Sequence, residues 1–136
     1  MRTRSMRTLL PAVLFFALAV GAQDEPRLVL VAGNGKGGDG GPANKANLRT
    51  PYGAGFDAKG NLYIAEIYAH KVRKVTPDGL ISTVAGTGEK GYGGDGGPAI
   101  QAKFYEIHDM VVAPNGDIYV ADSFNFRVRT IDGKTG

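Results

Sequence analysis

Short apolar runs alternate with polar residues along this chain, and glycine, proline or asparagine closes nearly every run. Leu28 to Ala32 is apolar and ends at Gly33, which predicts a strand. Ala54 to Asp57 is small and apolar, as an inner, crowded strand should be, and Asn61 to Glu66 predicts the next strand. Lys71 to Thr76 alternates valine with basic residues, the pattern of one packed and one wet face, and Leu80 to Val84 follows. The turns Asp57-Ala-Lys-Gly60 and Pro77-Asp-Gly79 separate these strands. The same order then returns as Met110 to Ala113, the turn Ala113-Pro-Asn-Gly116, Asp117 to Asp122, and Arg127 to Asp132. Asn44 to Arg49 and Ile100 to Tyr105 suit a helical turn, and no long stretch carries helical periodicity.

The return is an internal repeat. Gly37-Gly-Asp-Gly-Gly-Pro-Ala43 reappears as Gly93-Gly-Asp-Gly-Gly-Pro-Ala99, an offset of 56 residues that persists downstream to Lys71-Val-Arg73 and Arg127-Val-Arg129. A repeat of this length points to stacked or radial units. Four short antiparallel strands per repeat predict the blades of a β-propeller, an all-β fold that closes with about four to eight blades. Residues 28–32 then read as the outer strand of a preceding blade, 33–86 as a first blade with its leading loop, and 87–136 as an incomplete second blade. About two blades do not close a ring. The expectation is a partial propeller, a fragment of a longer one. The alternative is a homo-trimer of six blades in which each N-terminal strand completes a neighbour's sheet, since an open strand edge invites pairing.

Composition changes this picture in two ways. Arg2, Arg4 and Arg7 precede the apolar run Leu9 to Val20 and the small residues before Gln23, so residues 1–22 read as a signal peptide and 23–136 as the mature segment. An uncleaved anchor is the other reading of that run, which is short for a spanning helix. Export to a secreted or periplasmic location is therefore expected, without stable membrane insertion. Removing the leader also takes three of the 16 Lys and Arg residues and leaves the rest balanced against 13 Asp and Glu. The basic balance belongs to the leader, which argues against a nucleic-acid partner. The chain has no cysteine, so disulfides, thiol catalysis and cysteine-ligated metals are excluded.

Two stretches resemble a known family. Thr50-Pro-Tyr-Gly through Asp78-Gly79, containing Gly60-Asn-Leu-Tyr-Ile-Ala-Glu66, looks like an NHL repeat. So does Ile107 to Gly133, containing Gly116-Asp-Ile-Tyr-Val-Ala-Asp-Ser-Phe-Asn-Phe-Arg-Val-Arg129. The intervening Val-Ala-Gly and Gly-Asp-Gly-Gly-Pro-Ala segments resemble linkers of secreted bacterial NHL-repeat proteins. The resemblance implies propeller blades, and the fold hosts binding modules, lactonases and lyases alike. The first repeat departs from the second, with Ala69 opposite Asn125 and Glu66 opposite Asp122.

The glycine-rich loops lack the Gly-Lys-Ser/Thr ending of a phosphate loop, so tight turns between blades are their main reading. Asp39 and Asp95 would alternatively meet a cation. Asp122, Asn125 and Arg127 surround the hairpin between the second and third strands, where a carboxylate fixes the turn by accepting N–H groups and pairing with arginine. With Gly60 and Gly116 they make up the expected structural motif. Glu106, His108 and Asp109 precede the innermost strand of the second repeat, where the first has Thr50, Tyr52 and Gly53. Because the fold does not require this polar set, these three are the candidate catalytic or metal-binding residues, set against ordinary loop hydrogen bonding. His70, the other histidine, reads as a solvated hairpin residue.

The leading functional reading is a non-enzymatic binding module, without a cofactor, that meets a protein, glycan or small-molecule ligand through its loops. Tyr52, Tyr68, Tyr92, Tyr105, Phe124 and Phe126 supply loop aromatics for such contacts. The rival is a calcium-dependent lactonase- or lyase-like enzyme, similar to the gluconolactonase family, with a metal polarising a carbonyl and a carboxylate or histidine as base.

Overall fold

The computed structural model describes residues 25–134, so the leader expected at 1–22 lies outside the described residues. Among the described residues, seven strands form two antiparallel sheets. The first blade is a meander of β1 (Pro51–Phe56), β2 (Leu62–Glu66), β3 (Lys71–Val75) and β4 (Ile81–Ala85). The second holds β5 (Ile107–Val112), β6 (Ile118–Asp122) and β7 (Arg127–Ile131). The all-β, four-stranded blade expected from the repeat is present, followed by a three-stranded one. No helix among the described residues is long and apolar enough to cross a membrane.

Local chemistry sets the hairpins. Asp57 accepts the N–H groups of Lys59 and Asn61, both at 2.9 Å, and Gly60 takes a φ of +80°. In the second blade Asn115 Oδ1 accepts the Asp117 N–H at 3.1 Å, and Gly116 takes a φ of +92°. Both glycines thus sit where a left-handed backbone closes the turn.

Strand alternation divides the core. Ile64, Val75 and Ile81 face one way and pack with Ala43 and Ala46 of the first linker. Ala65, Val72 and Ala85 face the other way and meet Phe104, Ile107, Met110, Val120 and Ile131 between the blades. β2, β3 and β4 therefore contribute to packing on both faces of the blade, while β1 buries Gly53 and leaves Tyr52, Ala54 and Phe56 exposed. β1 runs beside β5, and the approach is close: a side chain on Gly53 would come within 3.2 Å of Met110, and one on Gly55 within 3.3 Å of Val112. The small residues of the inner strand are explained by this contact.

Three expectations are revised. β1 and β5 begin three residues earlier than Ala54 and Met110, at Pro51 and Ile107, so His108 and Asp109 lie within β5 rather than before it. The helical turns start just after the proline of each linker, at Ala43–Lys45 and Ala99–Gln101, and are a single turn long. Residues 28–32 form no strand, because a strand needs a ladder partner and none of the described strands lies beside them.

The glycine-rich loops do more than connect. In the first, Gly40 N–H bonds Ile81 O at 2.8 Å, Ile81 N–H bonds Gly41 O at 3.0 Å, and Ala43 N–H bonds Gly79 O at 2.8 Å. The loop runs back along the start of β4 and covers that edge of its own blade. Its aspartate enters an ion-pair chain: Arg73 bonds Asp39 at 2.6 Å and Glu66 at 3.1 Å. The second blade repeats it, Arg129 Nε bonding Asp95 at 2.8 Å and Arg129 Nη1 bonding Asp122 at 3.3 Å. Arg129 also donates to the carbonyls of Lys103 and Gly93, both at 2.8 Å, and lies over the Phe104 ring. Asp122 and Glu66 are essentially inaccessible to water.

Breaking a buried pair leaves an uncompensated charge, at a cost of about 3–5 kcal/mol. Arg129→Ala is therefore expected to destabilise the fold by about that amount in urea titrations. Arg127→Ala, which removes an exposed guanidinium stacked 4.1 Å from the Tyr92 ring, should cost no more than about 1 kcal/mol.

Candidate binding face

At the end of the blades where β1 and β5 begin, the two repeats share an unusual backbone. Thr50 and Glu106 have φ of 55° and 57°, and His70 and Phe126 have φ of 52° and 55°. These pairs are related by the repeat, so a left-handed residue precedes each inner strand and another closes each β2–β3 or β6–β7 hairpin. Such conformations are uncommon outside glycine and re-aim the side chains around them. One residue into each inner strand the pairing register slips, between Pro51 and Gly53 and between Ile107 and Asp109. Tyr52 and His108 are the extra residues, and bulges of this kind turn a side chain out of the sheet.

The result is a chain of rings. Tyr52 meets His108 edge-on with centroids 5.8 Å apart, and His108 lies 5.7 Å from Phe124. Phe124 lies 5.0 Å from Tyr105, Tyr105 meets His70 edge-on at 6.4 Å, and Lys90 sits 3.9 Å above the Tyr105 ring. Tyr52 and Phe124 are 65% and 48% exposed, so the series presents aromatic surface to solvent.

The candidate polar set is dispersed around these rings. His108 stands within the aromatic series, and its Nδ1 is buried with no hydrogen-bond partner. Asp109 is exposed and accepts the Met110 N–H at 2.8 Å. Glu106 is partly buried at its left-handed position, its N–H donating to His70 Nδ1 at 3.3 Å. Among the described residues, no three of His, Cys, Asp or Glu gather as a metal site.

The hairpin residues have a different partner from the one expected. Asp122 Oδ1 accepts the Tyr105 N–H at 2.7 Å, while Oδ2 accepts the Asn125 amide at 2.8 Å and Arg129. Asn125 also reaches Gly91 O at 2.8 Å. Arg127 stays outside, donating to Asn125 O and stacking on Tyr92; it shares a strand face with Arg129, but only Arg129 is enclosed by the second linker, through Asp95, Lys103 O and Gly93 O. In the first blade Glu66 accepts the Arg49 N–H and Arg73, while Ala69 supplies no amide. Sequence reasoning missed Arg73 and Arg129. The signal was available in the arginine repeated at one position of the third strand in both copies.

Asp39 and Asp95 are held by arginine. Burial pushes the Asp39 carboxyl up, but hydrogen bonds from Thr83 and the Arg73 guanidinium outweigh it and hold it below the usual value. For Asp95 the Tyr92 hydroxyl, 2.6 Å away, is the leading cause of a lowered value, and Arg129 adds to it despite some desolvation.

His70 is not simply a solvated hairpin residue. It is partly buried at the seam between blades, accepting the bond from Glu106 on the next blade. Burial lowers its pKa, and Lys90 and Arg49 lower it further, against the opposing pull of Glu106 and Asp122. A folded-state value below the unfolded one of about 6.5 means that its stabilisation is complete above that pH. The contribution is lost as pH falls through the folded value. Thermal melts at pH 7 and pH 5.5 should therefore show a loss of stability that is smaller in His70→Asn, since asparagine tolerates the left-handed backbone and does not titrate.

Comparison with known proteins bears on the same residues. The teneurin NHL domain model matches residues 23–91, and the NHL repeat model matches residues 104–131. Over 93 residues the chain is 33% identical to NHL repeat-containing protein 2 of Homo sapiens, covering 66% of this chain and 13% of that protein. It is 39% identical over 85 residues to Teneurin-1 of Mus musculus, covering 53% of this chain and 3% of that one. An auxiliary nutrient binding protein from Bacteroides ovatus superposes with a TM-score of 0.59 at 30% identity, over 69% of this chain and 25% of the other. The chain thus spans a quarter or less of the length of each of these relatives. With one model covering just over half of its residues and the other its second blade, the chain belongs to the NHL-repeat family, of the teneurin NHL domain type.

Proposed function

We propose that this chain is part of an exported NHL-repeat propeller that acts as a binding module, taking its ligand on the aromatic face around Tyr52, His108 and Phe124. The observation that carries this reading is the run of rings at 5.0–6.4 Å spacing, built from the positions where the two repeats differ. Rings that are partly exposed yet fixed by bulges lose little entropy on contact, and aromatic residues dominate binding hot spots. The likeness to a solved nutrient-binding protein supports a binding role. The signal-peptide pattern of residues 1–22 supports export.

Aromatic faces flanked by one cation and several hydrogen-bonding groups suit the apolar face and hydroxyl rim of a sugar ring. A glycan array followed by calorimetric titration of the best oligosaccharide tests this. Tyr52→Ala and Phe124→Ala should each weaken binding by about tenfold or more while leaving the melting curve nearly unchanged. Absence of any glycan signal, or equal affinity in both variants, would remove the proposal. Calcium-dependent lactone hydrolysis abolished by His108→Ala would turn the assignment to the enzymatic alternative.

A further inference from the structure

We infer that the first blade carries a second ligand site, distinct from the aromatic face, that takes a small phenolic carboxylate between the first glycine-rich loop and β3. The site is a cavity of about 360 Å³ walled by Lys36, Asp39, Arg49, Ala69, Lys71 and Arg73, among others. Cavities of this size suit a single small molecule. None of these residues belongs to the ring series around Tyr52, His108 and Phe124.

The second blade shows what the place is shaped to hold, because there the chain fills it. The Tyr92 ring lies 4.1 Å from the Arg127 guanidinium and 5.5 Å from that of Arg129, and its hydroxyl donates to Asp95 at 2.6 Å. Asn125 closes the inner end, donating to Gly91 O and to Asp122, both at 2.8 Å. The first blade keeps the surroundings and changes the filling. Asp39, Lys71 and Arg73 stand where the second blade has Asp95, Arg127 and Arg129, whereas Ala69 replaces Asn125 and Lys36 replaces Tyr92. The two loops are in register at that point: Gly37 O accepts the Asn47 N–H at 2.8 Å, and Gly93 O accepts the Lys103 N–H at 3.1 Å. Tyr92 and Asn125 come from the second blade's own linker and hairpin, although the whole first blade precedes them, and Tyr92 is still 50% exposed. The cavity therefore follows from residue differences inside the repeat.

Charge and shape specify the occupant. Both acids of the wall are already held, since Arg73 pairs with Asp39 at 2.6 Å and with Glu66 at 3.1 Å. Lys36, Arg49 and Lys71 add positive charge that no other acid of the wall balances, so the ligand is an anion. Arg73 is also less fully used than its counterpart. Its Nε is buried with no hydrogen-bond partner, whereas Arg129 Nε donates to Asp95, and Arg129 reaches two carbonyls besides. Cationic side chains stack on aromatic faces, so a flat ring takes the position of Tyr92 beside Lys71 and Arg73. A hydroxyl at one end then meets Asp39 as Tyr92 meets Asp95. A carboxylate at the opposite end falls where the Tyr92 side chain joins its backbone, the position that Lys36 occupies in the first loop. A para-hydroxybenzoate has these features.

Calorimetric titration of the purified chain with para-hydroxybenzoate is expected to show saturable binding. The matching alcohol, para-hydroxybenzyl alcohol, keeps the ring and hydroxyl without the charge and should bind about tenfold or more weakly. Sulfate should not displace the acid. Lys36→Tyr supplies the side chain that fills the second blade, so it should abolish binding while keeping the melting curve. Lys36→Ala removes the charge and leaves the cavity open, so it should weaken binding about tenfold without abolishing it. Tyr52→Ala and Phe124→Ala should leave the affinity unchanged. No binding, equal affinity for the alcohol, displacement by sulfate, undiminished binding in Lys36→Tyr, or loss of binding in Tyr52→Ala would each overturn the inference.

Discussion

The fold turns on an arginine drawn inward on the third strand of each blade. Arg73 and Arg129 each join a carboxylate at the end of the second strand to an aspartate in the glycine-rich loop. A guanidinium offers five donors in a fixed fork, so beyond the buried acid Arg129 also satisfies Asp95 and the carbonyls of Lys103 and Gly93, and Arg73 also satisfies Asp39. This is a demanding arrangement. Glu66 and Asp122 are withdrawn from water and depend on the arginine and on a backbone N–H. The partners lie on three separate segments of chain, so forming the pair also fixes the loop, the hairpin and the sheet relative to one another. In a chain with no disulfide and little helix, that tie takes the place of a covalent staple.

Once the loops are tied down, apolar packing sets how the blades meet. Phe104 follows the second linker's helical turn and sits between blades against Val72 and Ala85 on one side and Ile107 and Met110 on the other. Gly53 and Gly55 let the inner strands approach until the backbone of one nearly touches side chains of the next. The two inner strands therefore start side by side. Their register slips bring Tyr52 and His108 into contact across the seam. The aromatic face is a product of the scaffold: residues free to differ between repeats stand on backbone positions that do not differ.

That division explains which parts of the molecule could be read in advance. Strand identity, the blade and the repeat follow from alternation and turn chemistry, which act over a few residues. The hairpin turns at Gly60 and Gly116 are legible for the same reason, whereas the burial of Asp122 is not. The position where the copies disagree, around His108, marked the exposed face because scaffold residues repeat and surface residues need not. Arg127 was the natural partner for Asp122 by proximity in the chain, but two strand positions separate it from Arg129 and only the packing of the loop decides which one is enclosed.

The amino-acid sequence by itself determined the all-β blade and its period, since those depend on local backbone preference and on which residues shun water. Tertiary structure alone decided that Asp39 and Asp95 meet arginines, that His70 accepts a bond from the next blade, and that Glu106, His108 and Asp109 do not converge as ligands. It also decided that residues 28–32 form no strand, although their pattern is that of β4. A β-strand is stable only through hydrogen bonds to another segment, so its pattern is written locally and its existence depends on a neighbour.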